Sequence, residues 1–218
     1  MAKGFSGATD ELLEYADRVF HPEDEILRGI RTRAAKAGLP DIHVGRMDGL
    51  HLEILARACG SRRIVEIGTL AGYSGVCLAR ALPEDGKLFT FEFSPKHAEL
   101  AKTSFELAGL ASRVEILLGR AVENLPSVEK HGPFDLVFID ADKPSYPTYF
   151  EWAVRNLRKG GIMLADNTFA GGEIANMSLP ETERLRALRN FNKSAATDPR
   201  LRSTLLPTSD GLTFSIKL

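Results

Sequence analysis

Phe134-Asp-Leu-Val-Phe-Ile-Asp140-Ala-Asp142-Lys143 is the stretch that decides the fold of this chain. Five of its first six residues are Phe, Leu, Val or Ile, and the stretch then breaks into two carboxylates and a lysine. A short apolar run of this kind is typical of a buried strand in a parallel sheet. Open α/β sheets bind their ligands just beyond the carboxyl ends of such strands. We therefore expect Asp140, Asp142 and Lys143 to face a ligand.

The pattern on both sides of this stretch alternates between strands and helices from residue 62 onward. Strands are predicted at Arg63–Ile67, Lys87–Phe93, Val114–Leu118, Phe134–Asp140 and Gly161–Asp166, with a closing pair at Leu201–Pro207 and Leu212–Lys217. Helices are predicted at Tyr73–Leu82, Pro95–Leu110, Arg120–Glu129, Tyr146–Leu157 and Leu179–Asn192. Alternation at this spacing predicts right-handed βαβ units and an α/β fold with a mostly parallel sheet.

The first sixty residues have helical periodicity instead. We predict helices at Asp10–Phe20, from Pro22 towards Gly38, and at Asp48–Ala58. A length of 218 residues favours a single domain, so residues 1–218 are interpreted as a helical segment (1–60) joined to an α/β core (61–218). The helical segment is too short to bury a core of its own. We expect it to pack on the α/β body or on a second subunit.

The composition argues against several classes of partner. With 28 basic and 29 acidic residues, the chain has no overall positive field for nucleic acid or for an anionic membrane surface. No apolar run approaches the roughly 18 residues of a membrane span, and the segment from Met1 to Gly7 lacks the apolar core of a signal peptide. We therefore expect a cytoplasmic protein. Cys59 and Cys77 are interpreted as small buried apolar residues, not as zinc ligands.

A glycine-rich turn, within Val65-Glu-Ile-Gly-Thr-Leu-Ala-Gly-Tyr-Ser74, follows the first predicted strand. Glycines at this point let a ligand approach the backbone closely. The next strand carries Glu92, 24 positions after Gly68. An acid about 20 residues beyond such a turn is placed to accept hydrogen bonds from a ribose diol. The turn and the acid together predict a nucleoside cofactor.

Glu66, inside the first strand, indicates which cofactor is suitable. A dinucleotide places its pyrophosphate against the first turn, where a carboxylate would repel it. S-adenosylmethionine has a ribose, no phosphate and a cationic ammonium group, so it suits an acid at this position.

Two alternatives from other functional classes stay open. An NAD(P)-dependent oxidoreductase would share the turn and the ribose acid, and a non-catalytic protein could bind S-adenosylmethionine without turnover.

A second apolar strand also ends in oxygen-bearing side chains. Asp166 follows Asp140 by 26 positions, and Asn167 comes next. If the two strands are parallel neighbours, all three side chains leave the sheet at the same rim, where they offer oxygen ligands to a hard divalent cation such as Mg²⁺. Lys143 lies three residues beyond Asp140. A nearby cation and burial both disfavour a lysine ammonium, so Lys143 is a candidate general base.

Together these segments resemble the cation-dependent class I O-methyltransferases, the family of the caffeoyl-CoA and catechol O-methyltransferases. The resemblance covers roughly Leu39 to the C-terminus. It is carried by VEIGTLAGYS at 65–74, FEF at 91–93, GRAVENLP at 119–126, FDLVFIDADKPSY at 134–146, GGIMLADN at 160–167 and DGLTFSIK at 210–217. It implies a Rossmann-like, seven-stranded, mostly parallel sheet flanked by helices, with the last strand antiparallel. It also implies a homodimer and leads us to expect a small vicinal dihydroxy aromatic, or catechol-like, methyl acceptor.

The resemblance implies a role for each matching residue. Asp140, Asp166 and Asn167 would ligate the metal, Lys143 would be the general base, and Asp140 would also contact the substrate. Contacts to S-adenosylmethionine are implied for eight residues, which are Val44, Glu66, Gly68, Thr69, Ser74, Glu92, Ala121 and Asp142.

The segment that follows Asp166 and Asn167 departs from the family pattern. Members often carry a Trp-Asn pair there, whereas this chain has Ala170 and Gly171. We interpret the change as the loss of a bulky wall and a polar contact near the substrate, so the plant acyl-CoA acceptor is not expected here. The shape of the acceptor is instead assigned to Phe169–Pro180, the N-terminal helices and the turn at Thr208–Asp210. An amine or carboxylate acceptor remains an alternative.

Overall fold

The structure is a computed structural model of the 218-residue chain, and it describes residues 9–208 and 210–218. Residues 1–8 of the predicted N-terminal segment and Ser209 of the predicted acceptor-side turn lie outside the described residues. Within the described residues, seven strands form one sheet: β1 (Arg63–Ile67), β2 (Lys87–Glu92), β3 (Val114–Leu118), β4 (Phe134–Ile139), β5 (Leu157–Ala165), β6 (Leu201–Leu206) and β7 (Leu212–Lys217). The same residues form eight α-helices: α1 (Asp10–Phe20), α2 (Glu25–Lys36), α3 (Arg46–Ala58), α4 (Tyr73–Arg80), α5 (Pro95–Leu107), α6 (Ala121–Asn124), α7 (Tyr146–Asn156) and α8 (Glu183–Thr197).

The strand order across the sheet is β3-β2-β1-β4-β5-β7-β6. All pairings among β1 to β5 are parallel, and β7 runs antiparallel to both β5 and β6. The predicted architecture, a mostly parallel sheet of seven strands with an antiparallel last strand, is confirmed. Because β1, β4 and β5 are parallel neighbours, their carboxyl ends lie side by side at one rim.

Helices cover both faces of the sheet because its central strands are apolar on both sides. On β4, Leu136 and Phe138 belong to one buried cluster, which also holds apolar residues of α2 to α5. Val137 and Ile139 belong to the other, together with apolar residues of α7 and α8. Successive side chains of β4 are buried on opposite faces of the sheet. This explains why Phe134–Ile139 is an almost uninterrupted apolar run.

The helices α2 and α3 pack on the α/β body. Leu27 and Ile30 of α2 and Leu52 of α3 are buried in the same cluster as the sheet. The first helix differs, because Leu12 and Phe20 on α1 are more than half exposed. Among the helices of the described ranges, none has the length and apolar character needed to span a bilayer.

The predicted start of the second helix was wrong. It was placed at Pro22, but α2 begins at Glu25 after the N-cap residue Asp24. The Asp24 carboxylate accepts a hydrogen bond of 3.0 Å from the Leu27 N–H, which satisfies a backbone donor that the helix itself leaves unpaired. Pro22 therefore precedes the helix. Cys77 is buried, as predicted, whereas Cys59 is half-buried at the end of α3.

Three later boundaries also differ from prediction. The predicted helix at 120–129 is only one α-helical turn, α6, followed by a 3₁₀ helix at Leu125–His131, because Pro126 has no N–H to donate. The helix predicted from Leu179 begins at Glu183, where Thr182 caps it through the Leu185 N–H. β5 begins at Leu157, before the predicted Gly161, and its pairing with β4 contains a register irregularity.

Candidate functional site

The site lies at the rim where β1, β2, β4 and β5 end. Backbone hydrogen bonds continue one residue past the strands, from Asp140 N–H to the Ile67 carbonyl (2.8 Å) and from Asp166 N–H to the Ile139 carbonyl (3.0 Å). The rim opens into a cavity of about 770 Å³. Ten predicted site residues line this cavity: Val44, Gly68, Thr69, Ser74, Glu92, Ala121, Asp140, Asp142, Lys143 and Asn167. The remaining two, Glu66 and Asp166, are buried next to residues that line it.

The first turn depends on Gly68. Its φ is +103°, in the region that favours glycine, and a Cβ there would collide with the backbone carbonyl of Asp140. The turn after β1 and the end of β4 therefore approach each other more closely than any residue with a side chain would allow. This close approach places the first turn and Asp140 against the same cavity.

Glu66 lies behind the first turn and is completely buried. Ser74 and Thr90 each donate a hydroxyl hydrogen bond of 2.6 Å to its carboxyl group. Burial raises the pKa of the Glu66 carboxyl to about 7, although the two hydroxyl groups oppose the rise. Ser74 lines the cavity and Glu66 does not, so this hydrogen bond connects Glu66 to the cavity through Ser74. A direct contact between Glu66 and the cofactor stays a prediction.

Replacing Glu66 by Gln should remove a pH dependence of stability. The pKa of Glu66 is about 7 in the folded chain against an ordinary value of 4.5, so only the folded chain retains the proton between these pH values. The free energy of unfolding therefore falls as pH rises through this window, by about 3 kcal/mol for this group. Urea unfolding of both chains measures this. The stability of the wild type relative to Glu66→Gln should decrease from pH 4.5 to pH 7, and a constant difference would contradict the assignment.

Glu92, at the end of β2, is held by the backbone of the first turn. Its carboxylate accepts hydrogen bonds from the N–H groups of Leu70 (2.8 Å) and Ser94 (2.9 Å), and His97 Nδ1 lies 3.4 Å from it. The residue is only 8% exposed, and the small exposed part faces the cavity. A fixed carboxylate of this kind can accept hydrogen bonds from a diol, as the sequence predicts.

Asp142 lies at the same cavity, beyond β4. Tyr149 of α7 donates a hydrogen bond of 2.7 Å to one carboxylate oxygen, and Ser145 donates to the other. Sequence reasoning did not identify Tyr149, which also lines the cavity. Its position at the start of α7, one helical turn after Ser145, is the signal that could have found it.

Asp140 and Lys143 form an ion pair at the centre of the rim. Lys143 Nζ donates to Asp140 Oδ1 over 3.0 Å and to the hydroxyl of Tyr146 over 2.7 Å, and it lies 4.7 Å from the centroid of the Tyr146 ring. Tyr146 is completely buried, and its hydroxyl donates to the carbonyl of Asp166. Sequence reasoning missed Tyr146, which fixes the position of Lys143 relative to the end of β5.

Asp166 and Asn167 are adjacent to this pair. Burial, and after it the charge of Asp140, raises the pKa of the Asp166 carboxyl to about 7. One Asp166 oxygen accepts a hydrogen bond of 2.6 Å from the Asn167 N–H, and Asn167 itself has a φ of +57°. Left-handed backbone is uncommon outside glycine, although Asn tolerates it better than most residues. Asn167 and Asp140 line the same cavity.

The donor set at this rim fits a hard divalent cation. It offers two carboxylates and one amide oxygen, which are hard oxygen ligands, and the charge of Asp140 disfavours ionisation of Asp166. A bound cation would relieve that repulsion. Across the part of the chain that the structure describes, no three His, Cys, Asp or Glu side chains are grouped so as to hold a metal. The predicted ligand set, in which an amide joins two carboxylates, stays a prediction.

For the segment after Asn167, the predicted loss of a wall and of a polar contact near the acceptor stays a prediction. Ala170 is 3% exposed and belongs to the apolar cluster under α7 and α8, so it is a core residue and not a wall of the cavity. Gly171 has open space where a side chain would be. Its N–H donates a hydrogen bond of 2.6 Å to Asp210, which ties this segment to the β6–β7 turn.

Known proteins resemble this chain in sequence and in fold. The model of an O-methyltransferase family matches residues 17–218. A catechol O-methyltransferase of Niastella koreensis is 41% identical over 186 residues, which cover 84% of each chain. The structure of an O-methyltransferase from Bacillus cereus in complex with SAH has a TM-score of 0.89 and 37% identity, and the match covers 94% of this chain and 96% of that one. An O-methyltransferase from Streptomyces achromogenes in complex with SAM has a TM-score of 0.88, 36% identity and 94% coverage of both chains. The predicted family resemblance is confirmed.

Proposed function

The chain belongs to the O-methyltransferase family, and from this membership we propose that it transfers a methyl group from S-adenosylmethionine to one oxygen of a small, catechol-like acceptor with the help of a divalent cation. One observation carries the proposal. A single cavity joins the fixed carboxylate of Glu92 to the Asp140–Lys143 pair. A nucleoside held at Glu92 and an acceptor held at Asp140 would therefore share one space.

At the cofactor end, the proposed roles follow from charge and fixed position. Glu92 would accept hydrogen bonds from the ribose hydroxyls, because backbone N–H groups already orient its carboxylate. Asp142 and Ser74 line the same cavity. A hydrogen bond from Tyr149 orients Asp142, and a hydrogen bond to Glu66 orients Ser74. The family comparisons support this cofactor, since related structures contain SAM or SAH. They favour a methyltransferase over the NAD(P)-dependent oxidoreductase that the glycine turn alone left open.

At the acceptor end, Asp140, Asp166 and Asn167 would hold the cation. When bound, the cation would lower the pKa of an acceptor hydroxyl and fix its orientation. The reaction forms a carbon–oxygen bond, breaks the carbon–sulfur bond of the sulfonium and releases the hydroxyl proton. When Asp140 holds the cation, Lys143 would lose its ion pair, and in its neutral form it would accept that proton as general base. Its contact with Tyr146 would keep Nζ at the rim while its hydrogen bond to Asp140 changes.

A screen of three dihydroxybenzenes tests the proposed acceptor class. Catechol carries adjacent hydroxyl groups, whereas resorcinol and hydroquinone carry the same groups in positions that cannot chelate one cation together. We expect S-adenosylmethionine-dependent methylation of catechol and little methylation of the other two, measured as methyl ether formed per enzyme. Equal rates on all three would contradict the chelating acceptor. No methylation of a broad panel, with cofactor binding intact, would favour a non-catalytic binding protein.

A further inference from the structure

One wall of the cavity is an irregular segment between α2 and α3. Ile42, His43 and Val44 all line the cavity, and this stretch forms neither helix nor strand. Among the hydrogen bonds between described residues, one reaches the backbone of residues 42–44. It runs from Arg31 Nη2 to the Val44 carbonyl, over 2.7 Å. A side chain from α2 therefore helps to fix the position of this wall, in addition to the burial of Val44 in the apolar core.

Arg31 is itself held on several sides. Its Nε donates to Glu23 Oε1 over 2.7 Å, and its guanidinium carbon lies 4.2 Å from the centroid of the Tyr73 ring. Tyr73 donates its hydroxyl to the same Glu23 oxygen over 3.0 Å. The Glu23 side chain is 10% exposed and Tyr73 is 1% exposed, so water competes weakly for these contacts. A planar guanidinium that is stacked and hydrogen-bonded in this way has a fixed direction.

The same network touches the cavity at a second point. Tyr73 is the first residue of α4, directly after the glycine turn, and it lines the cavity. The charge of Arg31 also reaches His43, since burial, and after it this charge, lowers the pKa of the His43 imidazole. Arg31 thus connects the N-terminal helical segment, the first turn and the irregular wall.

We infer that Arg31 is a positioning residue for the cofactor half of the cavity: through its bond to the Val44 carbonyl, braced by Glu23 and Tyr73, it holds residues 42–45 where they close over a bound cofactor. The inference rests on the proposed function, because it takes the ligand of this cavity to be S-adenosylmethionine. Arg31 does not line the cavity and acts through Val44.

Arg31→Met tests the inference because methionine keeps an apolar side chain beside Tyr73 and removes the guanidinium. We expect the backbone ¹⁵N order parameters of residues 42–45 to fall in the ligand-free variant. We also expect S-adenosylhomocysteine, titrated by calorimetry, to bind about tenfold more weakly, the effect of losing one charge-assisted hydrogen bond of ordinary strength. The matched control is Lys36→Met on the same helix. Lys36 is exposed in the last turn of α2, so that variant should change neither quantity.

The possible results distinguish the positioning role of Arg31 from the proposed binding of S-adenosylmethionine. Unchanged order parameters in Arg31→Met, with or without a lower melting temperature, would overturn the inference. Lower order with unchanged affinity for S-adenosylhomocysteine would overturn it as well, and so would equal losses in the Lys36→Met control. Failure of the wild-type chain to bind S-adenosylhomocysteine would instead overturn the proposed function and, with it, the role given to Arg31. The order parameters distinguish these cases because they are measured without ligand.

Discussion

Asp140→Asn is expected to reduce kcat/KM for the proposed methyl transfer by about a thousandfold or more, because a bound cation contributes several kcal/mol to transition-state stabilisation and 1.36 kcal/mol is a factor of ten. The variant should also lose its response to added Mg²⁺. Asn has nearly the same shape as Asp, so the substitution removes charge and leaves the packing at the end of β4 intact. Initial rates over a Mg²⁺ series measure both effects.

The stability of Asp140→Asn provides the control for misfolding. In the folded chain the charge of Asp140 helps to raise the pKa of Asp166, which means that the two carboxylates repel each other. Neutralising Asp140 removes that repulsion, although it also removes the ion pair with Lys143. We therefore expect little change in the melting temperature of the metal-free chain. Full activity of this variant in the presence of a chelator would contradict the assignment of Asp140 as a metal ligand.

Lys143→Arg is expected to reduce kcat by about 10²- to 10⁴-fold, the usual contribution of a positioned general base. Arginine stays protonated under all conditions used for enzymes, so it can replace the ion pair with Asp140 but cannot accept a proton. The substitution separates two roles of Lys143. If the lysine only pairs with Asp140, arginine should preserve activity. If it is the base, activity should be lost while binding of S-adenosylhomocysteine persists.

The kcat of Lys143→Arg is measured with saturating S-adenosylmethionine and catechol. Lys159→Arg is the matched control, because Lys159 is exposed and lies on β5 at the opposite end from the site. That control should retain wild-type rates. A Lys143→Arg variant with a rate close to wild type would show that another group removes the proton.

The fold could be predicted because the hydrophobic periodicity and the order of strands and helices can be read from the sequence. The run ending at Asp140 and the run ending at Asp166 both predict buried strands, and the parallel pairing of β4 with β5 places those ends together. Gly68 could also be identified from the sequence, since a glycine directly after the first strand indicates that another group approaches the backbone closely there. The collision that a Cβ would make with the Asp140 carbonyl gives that expectation a physical cause.

Other parts of the site depend on side-chain directions that one sequence does not reveal. Glu66 was predicted to touch the cofactor, but whether Ser74 stands in front of it depends on how α4 packs against β1. Tyr146 follows a proline-containing turn, and its contact with Lys143 requires the start of α7 to be known within one residue. Arg31 lies outside every predicted motif in the sequence, although in the structure it stacks on Tyr73 of the glycine-rich turn. Its bond to Val44 is a tertiary contact between two segments without a shared pattern.

The most direct test of the central claim is methyl transfer by the 218-residue chain itself. S-adenosylmethionine and catechol are incubated with the purified protein in excess chelator and then in a series of Mg²⁺ concentrations, and the methylated catechol is quantified. We predict no turnover in chelator and saturable recovery with Mg²⁺, because Asp140, Asp166 and Asn167 would hold the cation that orients the acceptor. Methylation of catechol at an undiminished rate in chelator would contradict the account.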